Sequence, residues 1–324
     1  MPRFLTLRHT ALTLFIGTAF LGATTVQPAG AQTTVTFTAQ AVSYDLAVGN
    51  NPRVLVGLLA GDQGLVAFGS VRFDFEYLGT KQRPIKPQRG PTATATYRLV
   101  AGINVSDRPS EPRLIKPSQA IGVYAAENVN FERAGRWRVL ATVRFGDKSA
   151  RVPTTFNVGT KHRVVNVGDA APRTDNPLVP SADVSPASID SRATRATPAP
   201  DPVLHATTVS TALSTGLPVV LVVSTPTYCL SQFCGPITDS VNALAPEFAG
   251  KVAFVHLEVW KNFQRQQINN AAAEWILPRN GSGDANEPWV FTIGRDGRVQ
   301  QRFDNVTSDE ELRAATSALV TPGT

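Results

Sequence analysis

Apolar and polar positions follow two regimes along the chain. In the first, Trp137, Val139, Ala141 and Val143 alternate with Arg138, Leu140, Thr142 and Arg144, the period of a strand with one face buried and the other mainly wet. Similar β-rich segments lie at 34–42, 52–59, 64–77, 92–100, 120–126, 135–145 and 151–158, separated by clusters of Gly, Pro, Asn and Asp. Beyond residue 203 the pattern changes to alternating helix and strand. A helix over 204–213 ends at Gly216 and leads into the β-branched run Val219 to Val223, which reads as a strand buried on both faces. A helix to about residue 248 closes at Gly250 and is followed by a second buried strand, 252–259. A helical stretch includes 271–275, and strands at 288–293 and 298–303 flank the turn Asp296-Gly297. Ser308 and Glu311 open the last helix as a capping box, and it continues through Leu312 and Leu319.

Seven short strands without intervening helices predict that residues 32–160 form an all-β sandwich of immunoglobulin-like type. That region shows no catalytic pair among Asp74, Glu76, Glu127 and Glu132, and its Pro-rich stretch 81–89 reads as a solvated connection. Between 161 and 202, seven prolines stand among Ala, Ser, Thr and Asp with almost no aromatic residue, a composition that cannot fold alone and reads as a linker. Residues 203–324 are expected to form a second, α/β domain.

With 324 residues, 42% hydrophobic and 17% charged, the chain is globular material with room for two domains. The net charge of +6 comes from scattered Lys and Arg, so no nucleic-acid partner is expected. Arg3 and Arg8 precede the apolar run 11–22, and Ala29-Gly30-Ala31 is a cleavage pattern, so residues 1–31 read as a signal peptide. The run is shorter than the ~20 residues a span requires, and no later stretch could span a membrane. The mature chain is therefore expected to be secreted or periplasmic.

In an oxidising compartment the two cysteines, Cys229 and Cys234, are expected to pair. Two thiolates make a poor metal site, and His205 and His256 read as isolated surface or satisfied histidines, so neither metal nor cofactor is expected. On a regular helix five residues separate Cα atoms by about 8–9 Å, too far for a disulfide. Either Cys229 lies in the loop before the helix or the first turn unwinds, and Pro236 favours the loop because it suits a first helical turn.

The segment Tyr228-Cys229-Leu230-Ser231-Gln232-Phe233-Cys234-Gly235-Pro236 after the first central strand, with Glu287-Pro288 opening the hairpin, resembles the redox box and cis-proline of exported bacterial thioredoxin-like domains. Val167 to Pro172 resembles the leading segment of such domains. The resemblance implies an α/β thioredoxin-like fold over 203–324, Cys229 and Cys234 as catalytic thiols, and a substrate groove formed by Tyr228, Phe233, Gly235, Pro236, Glu287 and Pro288. It also implies disulfide exchange with protein thiols and disulfides of the cell envelope, without a cofactor. The family's usual box is W-C-G-P-C, whereas Cys234-Gly235-Pro236 is followed by Ile237, which excludes a dithiol cycle in that register.

The C-x-x-x-x-C spacing is similar to the pairing of peroxiredoxins of the Q type. Cys229 is favoured as nucleophile, since it follows the strand at the shorter distance and after an aromatic residue, and the reverse assignment stays open. Two other functions stand beside exchange: a binding or adaptor protein in which the pair is a structural disulfide, and a peroxiredoxin-like thiol peroxidase. Against the peroxidase, Pro226 occupies the position of that family's threonine. Trp260, Trp275 and Trp289 read as core or groove aromatics rather than a ligand cage.

Overall fold

A computed structural model describes residues 36–61, 64–179, 184–194, 196–279 and 285–321. The signal segment expected at 1–31 lies outside them. No helix among the described residues is long and apolar enough to cross a membrane.

The N-terminal strands are β1 (Phe37–Ala41), β2 (Gly49–Ala60), β3 (Gly64–Ala67), β4 (Ser70–Gly79), β5 (Pro84–Leu99), β6 (Arg113–Ile115), β7 (Gly122–Phe131), β8 (Gly135–Phe145) and β9 (Lys148–Val158). Eight of them make one hydrogen-bonded order, β6-β3-β2-β7-β5-β4-β8-β9, with β1 pairing on β2. The sheet curls. Gly159, just past β9, donates to Leu46 O and accepts from Val48 N, both ahead of β2, while Phe37 of β1 stacks on Phe145 of β8 at 5.5 Å. Its concave side holds the alternating residues read from sequence, Trp137, Val139, Ala141 and Val143, together with Phe73, Phe75, Tyr124 and Phe131.

The C-terminal part contains α1 (Val209–Ser214), β10 (Val219–Ser224), α2 (Cys234–Leu244), β11 (Ala253–Glu258), β12 (Trp260–Asn262), β13 (Gln267–Ile268), α3 (Asn270–Ile276), β14 (Trp289–Ile293), β15 (Val299–Asp304) and α4 (Asp309–Val320). Its four-stranded sheet has the order β11-β10-β14-β15, with β10 and β11 parallel and the other pairs antiparallel. Strand β10 is buried throughout, so its two faces feed two cores. Val219, Leu221 and Val223 pack with Trp275, Ile276, Val164 and Val165. Val220 and Val222 pack with Ile237, Val241 and Leu312, and with Leu55, Val123 and Ala125 of the curled sheet.

These observations correct the expected fold class. The chain is mostly β, 41% strand against 17% helix, and it is not an immunoglobulin-like sandwich followed by an α/β thioredoxin-like domain. An immunoglobulin-like sandwich needs two facing sheets, whereas one continuous antiparallel ladder here covers its own core by curling. The four helices span 6, 11, 7 and 12 residues, too little to make the C-terminal part an α/β layer structure. One face of the smaller sheet shares its core with the curled sheet, and the described residues form a single compact unit.

Smaller differences have local causes. The expected strand 64–77 is broken by Phe68 and Gly69, both with positive φ. The stretch 84–89, expected as a loop, extends β5 as an exposed strand paired with β4. The expected helix 204–213 is a 3-10 turn, Pro202–His205, followed by the shorter α1, which Thr208 caps by accepting from Thr211 N.

The Pro-rich segment is tied to helices α1 and α3 through side-chain bonds. Trp275 Nε1 donates to Thr174 Oγ1 (2.9 Å), Val209 N donates to Asn176 Oδ1 (3.0 Å), and Asn269 Nδ2 donates to Ser188 O (3.0 Å). Thr174, Asn176 and Ser188 of that segment are thus held by the surface beneath them.

Candidate functional site

Strand β10 ends at Ser224, and the loop 225–233 carries the chain to α2. Cys229 lies in that loop, Cys234 is the first residue of α2, and the two form a disulfide with Cα atoms 6.0 Å apart. Gln232 supplies the reversal with φ of 63°. Pro236 falls in the first helical turn, where its missing N–H has no partner to lose.

The two sulfurs differ in setting. Cys229 is partly exposed beside the fully exposed Leu230, whereas Cys234 is fully buried. Cys229 Sγ accepts the Cys234 amide at 3.4 Å and lies 3.2 Å from Ser231 Oγ. The positive end of the 11-residue helix α2 therefore faces the sulfur pair.

Glu287 and Pro288 close the other side through a cis peptide bond. Tyr44 Oη donates to Glu287 O at 2.6 Å, and Asn305 N donates to Pro288 O at 2.9 Å. Glu287 Oε2 stands 3.8 Å from Cys234 Sγ. Burial, and after it the charge of nearby Glu258, push the Glu287 carboxyl up to about 8. Glu258, itself 1% exposed, accepts Ser191 N at 2.8 Å and Trp260 N at 3.2 Å, and burial raises its carboxyl as well.

Of the residues singled out in the sequence, Cys229, Cys234 and Glu287 come together here, and Pro288 lines a small cavity with Ile237 of α2. The flanking aromatics diverge. Tyr228 stacks flat on Phe263 with centroids 4.1 Å apart, next to Trp260, while Phe233 and Ser231 line a cleft of about 450 Å³ with Tyr44, Leu58, Val123 and Asn305. A larger cleft of about 810 Å³, lined by Tyr97, Arg98, Arg108 and Glu310, includes none of the thiol-site residues. Gly235 sits in the first turn of α2 with Pro226 O nearest it. Trp275 and Trp289 are core residues.

Sequence reasoning missed Glu258 and a second group around His256. The available signal was polarity at alternate positions, His256 and Glu258, in a strand otherwise buried on both faces. The histidines expected to be isolated, on the surface or satisfied are neither isolated nor on the surface: His205 and His256 are both buried, with ring centroids 5.4 Å apart, and each Nε2 has a polar partner while neither Nδ1 does.

No protein-family model matches the chain, and no curated protein matches it. A solved structure, that of a family 123 glycoside hydrolase from Clostridium perfringens, is similar at 9% identity over 41% of this chain, with a TM-score of 0.20. The match spans 28% of that enzyme's chain and at this level carries no argument about fold or activity.

Proposed function

We propose that the Cys229–Cys234 pair exchanges disulfides with partner proteins of the cell envelope, the compartment to which residues 1–31 would direct the chain. The observation that carries this reading is the asymmetry of the pair: an accessible sulfur bonded to a buried one, with the Glu287 carboxyl 3.8 Å from the buried sulfur.

A partner thiolate attacks Cys229 Sγ, the Cys229–Cys234 bond breaks, and Cys234 departs as a thiolate that takes the proton of neutral Glu287. A second partner thiolate then attacks the partner sulfur of the mixed disulfide and releases Cys229 as thiolate. The partner leaves with a new disulfide, and the chain keeps the two electrons until another disulfide of the compartment re-oxidises it. A carboxyl held at about 8 is protonated at neutral pH and suits this donor role. The full burial of Cys234 favours the second reading, a permanent structural disulfide.

A glutathione redox titration, with Cys229→Ser and Cys234→Ser variants offered an oxidised and a reduced model protein, separates the two. Exchange chemistry gives a potential above about −250 mV, with Cys234→Ser accumulating mixed disulfide through Cys229. A pair that stays oxidised below about −300 mV, with neither variant trapping a partner, is a structural disulfide and ends the proposal.

A further inference from the structure

Asp190, His205 and His256 meet behind β10, each at most 2% exposed. They come from three separate places: the segment after the turn Pro186–Ser188, the turn Pro202–His205, and β11. Asp190 Oδ2 lies 3.4 Å from His205 Nε2 and 3.7 Å from His256 Nδ1, and the three donor atoms all lie within 4.8 Å of one another.

Hydrogen bonding assigns the protons. His256 Nε2 is 3.2 Å from the Ser224 carbonyl oxygen, which can only accept, and 3.1 Å from Ser224 Oγ, so Nε2 carries the ring proton. With Nε2 as the donor, the other nitrogen of the His256 ring is the acceptor. Its Nδ1 is therefore a bare lone pair without a hydrogen-bond partner. The Asp190 carboxylate lies opposite, with Oδ2 3.7 Å from that nitrogen. A lone pair and a carboxylate thus face each other in a dry site.

The spacings of 3.4 and 3.7 Å are near those of ligands around a common centre. Donors 2.0–2.1 Å from a tetrahedral ion lie about 3.3–3.5 Å apart, whereas N–H···O bonds favour roughly 2.7–3.2 Å. Arg192 already bonds Asp190, at 3.0 Å to Oδ1 and 2.7 Å to Oδ2. That guanidinium is shared with Asp201 and with Asp239, so three carboxylates surround one fixed positive charge, an excess of negative charge that suits a divalent ion.

We infer that Asp190, His205 and His256 form a site for a divalent cation of the zinc type, which pins segment 184–205 to the smaller sheet. The two imidazoles and the single carboxylate match the nitrogen and oxygen preference of that ion class. The role is structural, because all three donors are buried and two of them, Asp190 and His205, belong to a stretch with little core of its own.

Because the site is buried, the test loads metal during refolding. Protein unfolded with chelator is refolded with Zn²⁺ or Co²⁺, desalted and assayed for bound metal. The expected result is one equivalent per chain and Co²⁺ absorption of tetrahedral intensity without a thiolate charge-transfer band. Uptake is lost in His205→Ala and His256→Ala and kept in His162→Gln and in the Cys229→Ser/Cys234→Ser double variant. Wild type that takes up no metal overturns the inference, as does uptake that survives both His205→Ala and His256→Ala or disappears with the cysteines. Should either alanine variant fail to fold, the thermal midpoint of wild type decides. A rise with added Zn²⁺ that 1 mM chelator reverses supports the site, and no change overturns it.

Discussion

Replacing Glu287 with glutamine is expected to stabilise the oxidised protein, and to do so increasingly as pH rises. The carboxyl stands near Cys234 and Glu258 with its ionised form disfavoured, first by burial and then by the Glu258 charge. In the unfolded chain it titrates near 4.5, in the folded chain near 8. Below 4.5 both states hold the proton, and the group costs nothing. Between the two values the unfolded chain releases a proton that the folded chain keeps, so stability falls with rising pH and the loss is complete above about 8. At about 1.4 kcal/mol for each tenfold change in proton affinity, the interval sets a ceiling of about 5 kcal/mol. Solvent reaching this partly buried group lowers the expected effect to about 2–3 kcal/mol.

Glutamine keeps the shape and removes the titration, so the wild-type-to-variant difference isolates this group from Glu258 and Asp304, which burial also raises. Urea unfolding at pH 5, 6, 7, 8 and 9, without reductant, gives that difference directly. The advantage of Glu287→Gln should grow steadily from pH 5 to pH 8 and then level off. Parallel pH curves for the two proteins would refute the reasoning, since they would mean that Glu287 ionises in the folded protein as freely as in the unfolded chain.

Asp45→Asn should cost about 3–5 kcal/mol, because it leaves Arg302, 2.9 Å away and buried, without its counter-charge. Burial pushes Asp45 up, but His162 and Arg302 hold it well below the usual carboxylate range; its contribution is present above about pH 4 and lost on acidification, so the acid slope of stability should flatten in the variant. Gly122→Ala should abolish the β5–β7 pairing at that point, since a Cβ there would lie 2.1 Å from the Arg98 carbonyl oxygen. Circular dichroism and thermal unfolding would show at least about 3 kcal/mol of lost stability, and a silent substitution would contradict the close approach. Ser308→Ala removes a capping box in which Ser308 Oγ accepts Glu311 N and Ser308 N donates to Glu311 Oε2; it should cost about 1 kcal/mol by urea unfolding, and no loss would contradict the cap.

Features that depend on neighbours a few residues apart were legible in the sequence. The period-two pattern of β8, the buried run of β10, the capping box of α4 and the need for Cys229 and Cys234 not both to be helical all follow from local geometry. Alternation states which face of a strand is buried, but not what buries it. One curled ladder and two facing sheets impose the same pattern on Trp137, Val139 and Ala141, so the choice between them lay in closure contacts such as Leu46 with Gly159.

The chemistry was decided at longer range still. Glu287 reaches Cys234 across 53 positions, and Arg302 reaches Asp45 across 257. Asp190 and His205 are 15 positions apart on a segment whose composition supports no fold of its own, and they meet His256 only because β11 offers a surface for that segment to lie on. A buried polar group is tolerated only with its partners in place. Those partners come from the packing of distant elements, and so only the tertiary structure assembled both the thiol site and the histidine cluster.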